Sequence, residues 1–232
     1  MKKLAKFIPL DVKVVCKNIV RYGKLTPDEI NKVTLTFSLF KVCNCLFIHV
    51  PKTAGMSIYK ALFDSEPFGH RSLQNYYSVY GKYRVNKRFK FCFVRNPYTR
   101  IKSAYLYVKR GGRQRPFDLD YQKRLGKVQS FEDFVLNWLP KPEIFEMEHF
   151  RTQTSYVIDF NNKIRMDFIG KYENLNQDFN ILTSKLNIQN VELPNLNKSN
   201  NKDDESLAMN DEIKAAIYNL YRVDFDNFGY EK

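Results

Sequence analysis

The chain predicts an α/β fold, a mostly parallel central sheet flanked by helices, from two strand-turn-helix units and from apolar runs that alternate with helical periods. The first unit is the apolar stretch over residues 45–50, which runs into Pro51-Lys52-Thr53-Ala54-Gly55-Met56-Ser57 and then a helix. The second is the stretch over residues 89–94, which runs into Arg95-Asn96-Pro97 and a further helix. Neither strand alternates polar with apolar residues. A short continuous apolar run bounded by turn residues is what a strand buried on both faces requires, and parallel sheets supply that setting.

In chain order, residues 10–21 carry a mixed apolar pattern closed by Gly23, and Thr26-Pro27-Asp28-Glu29 is a helix start with proline at the first turn. Two short helices therefore precede the sheet, and residues 1–40 are expected to form a helical arm packed on a single domain of residues 41–232. After the first strand and its turn, a helix is expected over residues 57–63. Glu66-Pro67-Phe68-Gly69-His70 breaks it and is expected to enter a short strand. A helical piece over residues 72–80 leads to the second strand, and the next helix starts after Pro97. Over residues 109–127 the pattern fails around Gly111-Gly112 and several basic residues, so a loop or lid is expected there. Ser130-Phe131-Glu132-Asp133 has the form of a capping box for a helix reaching residue 139, stopped by Pro140 and Pro142. Residues 166–170 suit another strand, and residues 176–186 and 211–221 read as amphipathic helices.

Composition bounds the function. With 232 residues, 44% hydrophobic and 15% aromatic, the chain can bury a substantial core, which excludes a disordered or low-complexity protein. A net charge of +13 calls for anionic partners, whether a polyphosphorylated cofactor, an acidic glycan, a nucleic acid or a membrane surface. Cys16, Cys43, Cys45 and Cys92 lack any metal-ligand spacing and read as reduced, packed thiols. The start Met1-Lys2-Lys3 is followed by an apolar stretch broken by Lys6, Asp11, Lys13 and Lys17, too interrupted for a signal peptide or a membrane span.

The Lys52 turn has the chemistry of a phosphate site: backbone N–H groups at a helix N-terminus, a lysine beside them, and Gly55 to admit a ligand close to the backbone. It is not the triphosphate loop G-x-x-x-x-G-K-[ST], because here the lysine precedes the only glycine. Arg95 ends the second strand where a magnesium-binding kinase or ATPase would need a carboxylate. An arginine fork suits a phosphate monoester, and Ser103 lies about two helical turns further on.

Together, P-K-T-A-G-M-S and F-V-R-N-P-Y-x-R-x-x-S-A-Y resemble the two cofactor motifs of the carbohydrate-type sulfotransferases, the Golgi-like and bacterial family 2 enzymes that use 3′-phosphoadenosine 5′-phosphosulfate. The likeness continues through Asp167-Phe168-Ile169-Gly170-Lys171-Tyr172-Glu173-Asn174-Leu175 and Leu196-Asn197-Lys198-Ser199. It implies a P-loop-like sulfotransferase fold and transfer of a sulfuryl group to a hydroxyl, most simply of a carbohydrate. It also implies that Lys52, Thr53, Ala54, Gly55, Met56 and Ser57 hold the 5′-phosphosulfate, that Arg95 and Ser103 hold the 3′-phosphate, and that Lys198 reaches the same phosphate from a late loop. No metal is expected, because Lys52, Arg95 and the helix N-terminus would neutralise the developing charge. Animal members of the family carry a membrane anchor, and the lack of one here makes a cytoplasmic, bacterial or viral enzyme the expectation.

For the acceptor side, His70 follows a Pro/Gly turn where related enzymes have a Gly-His segment, and it is expected to be the general base, with Lys52 the other catalytic residue. Glu146, Glu148 and Glu173 are alternative bases. His49, inside the first strand, reads as a packed core group. His149 lies in Glu148-His149-Phe150-Arg151-Thr152-Gln153, similar to a family segment H-F-x-P-Q, with Thr152 in place of the proline. Arg71, His149 and Arg151 are the expected acceptor contacts, with Lys109, Arg110, Arg113 and Arg115 as further cations for an acidic saccharide and Tyr105, Tyr107 and Tyr121 as rings to stack on sugars. Arg100 and Lys102 are expected to face solvent or pair with acidic neighbours. Two rivals make different demands: a P-loop-type kinase or NTPase needs a magnesium carboxylate at a strand end, and a basic nucleic-acid-binding module needs no cooperation between Lys52 and Arg95. No nucleic-acid partner is expected, and the oligomeric state is not legible.

Overall fold

A computed structural model of the chain describes residues 26–40, 43–194, 207 and 209–232. The expected helix over residues 10–21, Cys16 and Lys198 lie outside the described residues. At the centre is a parallel sheet of three strands, β1 (Cys45–Ile48), β2 (Phe89–Val94) and β3 (Phe168–Lys171), in the order β1-β2-β3. Phe47 pairs with Phe91 and Ile48 with Cys92, while Phe93 pairs with Gly170 and Val94 with Lys171.

The apolar runs form strands because both faces are covered. Every residue of β1 is fully buried, and the Phe47 and Phe91 rings stack across the ladder with centroids 4.8 Å apart. Gly170 is required opposite Phe93, since a Cβ there would stand 2.4 Å from the phenyl edge. One apolar cluster combines the sheet with α1 (Pro27–Leu39), α2 (Gly55–Phe63) and α3 (Leu73–Asn86). Within it Phe37 of α1 stacks on Tyr80 of α3 at 3.7 Å. A second cluster is helical, between α4 (Pro97–Lys109) and the C-terminal elements.

Four local expectations are corrected. Residues 66–70 form no strand; the chain turns there instead, with Gly69 at φ 99°. The stretch over residues 109–127 is not an open loop, because α5 (Pro116–Arg124) runs through it. Asp118, 1% exposed, organises that region by accepting from the Arg113 N–H at 3.1 Å and the Tyr107 hydroxyl at 3.1 Å. Such a buried acceptor has no periodic signature, so the apolar pattern misses it. The Ser130 cap forms, with Oγ accepting from the Asp133 N–H at 3.0 Å, but after the short α6 (Phe131–Asp133) the chain widens into a π turn over Phe134–Trp138.

Beyond α7 (Pro142–Phe145), α8 (Thr154–Val157) and α9 (Leu175–Lys185), the last helix, α10 (Asp211–Phe228), outruns its expected end at residue 221. The helical geometry breaks at Tyr221, whose hydroxyl donates to the Phe150 carbonyl, and then resumes to the left-handed cap Gly229. Cys43, Cys45 and Cys92 are free thiols. Among the described residues no helix is long and apolar enough to cross a membrane.

Candidate active site

Both motif turns leave the C-terminal edge of the same sheet from adjacent strands, the place where open α/β sheets bind ligands. After β1 the chain turns through left-handed backbone at Lys52 (φ 68°) and Ala54 (φ 64°). Thr53, fully buried, staples the turn by donating its hydroxyl to the Val50 carbonyl at 2.9 Å. The first helical bond runs from the Ile58 N–H to the Ala54 carbonyl at 3.2 Å. The N–H groups of Gly55, Met56 and Ser57 therefore precede the helical ladder, and an anion is a natural partner for them. Ser57 is not the helix cap; Ala54 is, and Ser57 sits nearly buried in the first turn.

Gly55 has a different reason from the expected one. A Cβ on it would stand 1.9 Å from Nε2 of His49, so the missing side chain makes room for an imidazole rather than for a ligand. Lys52 reaches over the Tyr107 ring, with Nζ 4.3 Å from its centroid. Tyr107, held by Asp118, has its hydroxyl pushed up to about 12 by burial and then by that carboxylate.

The three histidines of the chain pack ring against ring. His49 lies 4.2 Å from His70, and His70 lies 5.6 Å from His149, which also meets Tyr107 at 4.7 Å. Among the described residues no His, Cys, Asp or Glu group is arranged to hold a metal ion. Nδ1 of His70 is 2.9 Å from the His49 carbonyl. A carbonyl only accepts, so Nδ1 carries the proton and Nε2 keeps its lone pair. Burial holds all three imidazoles below the ordinary histidine value, His49 and His149 far below it; for His70 the nearby Glu148 carboxylate works in the opposite direction. At neutral pH His70 is thus a neutral imidazole with a free acceptor nitrogen.

After β2, the backbone of Arg95 is gripped by Gln153: the Arg95 N–H donates to Oε1 at 2.9 Å, and Nε2 donates to the Arg95 carbonyl at 2.8 Å. The Arg95 guanidinium lies 4.2 Å over the Tyr172 ring, with Nε donating to Thr99 Oγ1 at 3.0 Å. Glu173 braces the same turn by accepting from the Asn96 N–H at 2.7 Å and the Tyr230 hydroxyl at 2.9 Å. Both oxygens of that carboxylate are engaged in structure on the Arg95 side. Ser103 is half-buried on α4, on the helix that Arg95 introduces.

Arg100 does not face solvent. It is fully buried, donating to the His149 carbonyl at 3.1 Å and the Arg151 carbonyl at 2.7 Å. The correction has a physical reason: the segment over residues 149–154 has no strand partners, and its inward carbonyls need donors. Asp224, also fully buried, serves the matching N–H groups, accepting from Gln153 at 2.8 Å and Thr154 at 2.9 Å. Burial raises the Asp224 carboxyl above its usual range, while Arg100 and these donors pull the other way. Neither Gln153 nor Asp224 was given a role from the sequence: Gln153 appeared only as the last residue of the segment similar to H-F-x-P-Q, and Asp224 lies beyond the helix end expected at residue 221.

The cations expected on the acceptor side are already partnered. Arg71 lies 4.0 Å from the Glu148 carboxylate, and the exposed Arg151 donates from Nε to the Glu146 carbonyl at 2.7 Å. Arg113 bridges both oxygens of Glu66 at 3.1 Å, with Arg115 at 3.7 Å from the same carboxylate. Lys52, His70, Arg71 and His149 are thus brought together with Glu148, while Arg95 and Ser103 lie on the neighbouring turn and helix.

A family model described as the Sulfotransferase family matches residues 36–231. Among curated proteins, carbohydrate sulfotransferase 11 of Mus musculus is 30% identical over 171 residues, covering 64% of this chain and 48% of the relative. Carbohydrate sulfotransferase 12 of Xenopus laevis is 26% identical, covering 70% of this chain and 46% of the relative. An uncharacterized protein of Archaeoglobus fulgidus is 33% identical over 109 residues, 47% of this chain and 75% of that protein. The chain spans about half the length of the carbohydrate sulfotransferases it matches. No solved structure matches at a comparable level. With the match running through both strand-end turns and on to the last helix, the chain belongs to the Sulfotransferase family.

Proposed function

We propose that this protein transfers a sulfuryl group from 3′-phosphoadenosine 5′-phosphosulfate to a hydroxyl of a carbohydrate. The observation that carries the reading is the shared sheet edge: the Lys52 turn and the Arg95 turn leave neighbouring parallel strands, spaced about 4.8 Å apart, so one doubly phosphorylated nucleotide can engage both. The residues present fit that donor. The N–H groups of Gly55, Met56 and Ser57 with Lys52 suit its phosphosulfate, and Arg95 with Ser103 suits its 3′-phosphate. When bound, the donor supplies an activated sulfuryl group and a stable leaving group, adenosine 3′,5′-bisphosphate.

The chain's own residues do the rest. Nε2 of His70 accepts the proton of the attacking hydroxyl as the new oxygen–sulfur bond forms, while Nδ1 stays fixed on the His49 carbonyl. Lys52 neutralises charge on the bridging oxygen as its bond to sulfur breaks. Arg71, His149 and Arg151 face the acceptor as the groups that orient it. The carbohydrate acceptor is supported by the names of the Mus musculus and Xenopus laevis relatives. The test is transfer of labelled sulfate from the donor to a panel of glycans and small hydroxyl compounds. His70→Ala should abolish the transfer while keeping affinity for adenosine 3′,5′-bisphosphate; full activity in that variant would remove His70 from the reaction.

A further inference from the structure

We infer that Gln153 is the positioning residue that aims Arg95 at the 3′-phosphate, a role that rests on the donor-binding reading above. The ladder of β2 ends at Val94, paired with Lys171, so the peptide groups of Arg95 have left the sheet. Gln153 takes the place of the absent strand. Its buried amide closes a two-bond ring on a single residue, accepting from the Arg95 N–H at 2.9 Å and donating to the Arg95 carbonyl at 2.8 Å. The amide orientation follows from its partners, since only Oε1 can accept and only Nε2 can donate.

Both peptide groups flanking the Arg95 Cα are thereby held, which fixes the direction in which the side chain leaves the backbone. The clamp is itself anchored. The Gln153 N–H donates to Asp224 at 2.8 Å, and Thr154 adds its N–H at 2.9 Å and its hydroxyl at 2.8 Å to the same carboxylate. Arg100 holds the carbonyls of His149 and Arg151 in the same segment. The segment that presents His149 to the acceptor side therefore also sets the donor-side arginine. Gln153 touches no reacting atom and acts only through Arg95.

The readout is calorimetric binding of adenosine 3′,5′-bisphosphate against adenosine 5′-monophosphate, which lacks the 3′-phosphate. Gln153→Met should weaken the bisphosphate about tenfold and leave the monophosphate unchanged. Gln153→Glu, which keeps an acceptor for the Arg95 N–H, should fall between wild type and Gln153→Met. Arg95→Ala should abolish the preference for the bisphosphate, and Gln153→Met added to it should change nothing further. If Arg95→Ala loses the preference while both Gln153 variants keep it, or if those variants weaken both ligands equally, the positioning role is overturned and the donor reading stands. If Arg95→Ala keeps the preference, the assignment of Arg95 falls and takes the inference with it.

Discussion

The two strand-end turns are built in opposite ways. The Lys52 turn is self-contained: left-handed backbone at Lys52 and Ala54, a Thr53 staple to Val50, and Gly55 seated under His49 all lie within seven residues of sequence. The Arg95 turn has a local helix cap, Asn96 accepting from the Tyr98 N–H at 2.9 Å, but its strand-end peptide groups are held from far along the chain. It is held by Gln153, which is 58 residues away, and by Glu173, which is 77 residues away from Asn96. The difference teaches that two strand-end motifs can be equally legible as patterns and yet differ in what makes them rigid.

The largest expected effect tests the local turn. Lys52→Ala should lower kcat by about 10²–10³-fold, the scale of losing one electrostatic donor in a transition state, with the melting temperature unchanged. Transfer at the wild-type rate would remove Lys52 from the chemistry. Gly55→Ala probes the packing beneath it. Helix propensity alone favours alanine by about 1 kcal/mol, but the clash with His49 should instead cost about 1–3 kcal/mol in a denaturant melt. The penalty should shrink in a His49→Ala background, and stabilisation in the wild-type background would show that His49 yields freely.

The histidine cluster makes the Lys52 side pH-sensitive. All three folded-state values are depressed, by burial first, below the unfolded histidine value of about 6.5. Between those values the unfolded chain binds more protons than the folded one. Stability is therefore full above about pH 6.5 and falls as the pH drops below it, by up to about 1.4 kcal/mol per unit for each histidine. Melting curves at descending pH check this, and a flat response would contradict the neutral histidine cluster. The kcat profile should show its acid limb below about pH 6.5, because His70 must be neutral to accept a proton. The smallest effect belongs to the borrowed turn: Tyr230→Phe removes one hydroxyl from Glu173 and should cost about 0.5–1.5 kcal/mol, with kcat unchanged.

Much of the architecture was legible because it depends on near neighbours. The apolar runs that became β1 and β2 carry their burial in their composition, and both turns announce themselves by residue type and order. What escaped was polar and buried. Arg100 reads as a surface cation until the fold buries it against the His149 and Arg151 carbonyls, and Asp118 turns an apparent loop into an ordered helix by capping backbone from inside. Gly55 was read as room for a ligand, yet the space belongs to a histidine six residues earlier. A charge or a glycine has the same letter in either setting, so only its neighbours decide.

By itself the amino-acid order determined an α/β chain with two anion-suited turns at strand ends, since strand burial, helix starts and the lysine and arginine placements are properties of short segments. Only the tertiary structure decided that these turns sit side by side, that three histidines from distant segments form one neutral cluster, and that Gln153, Asp224 and Arg100 tie the segment over residues 149–154 to Arg95. The physical reason is satisfaction of buried polar groups: each must find a partner wherever the folded backbone happens to offer one, and no local pattern records where that will be.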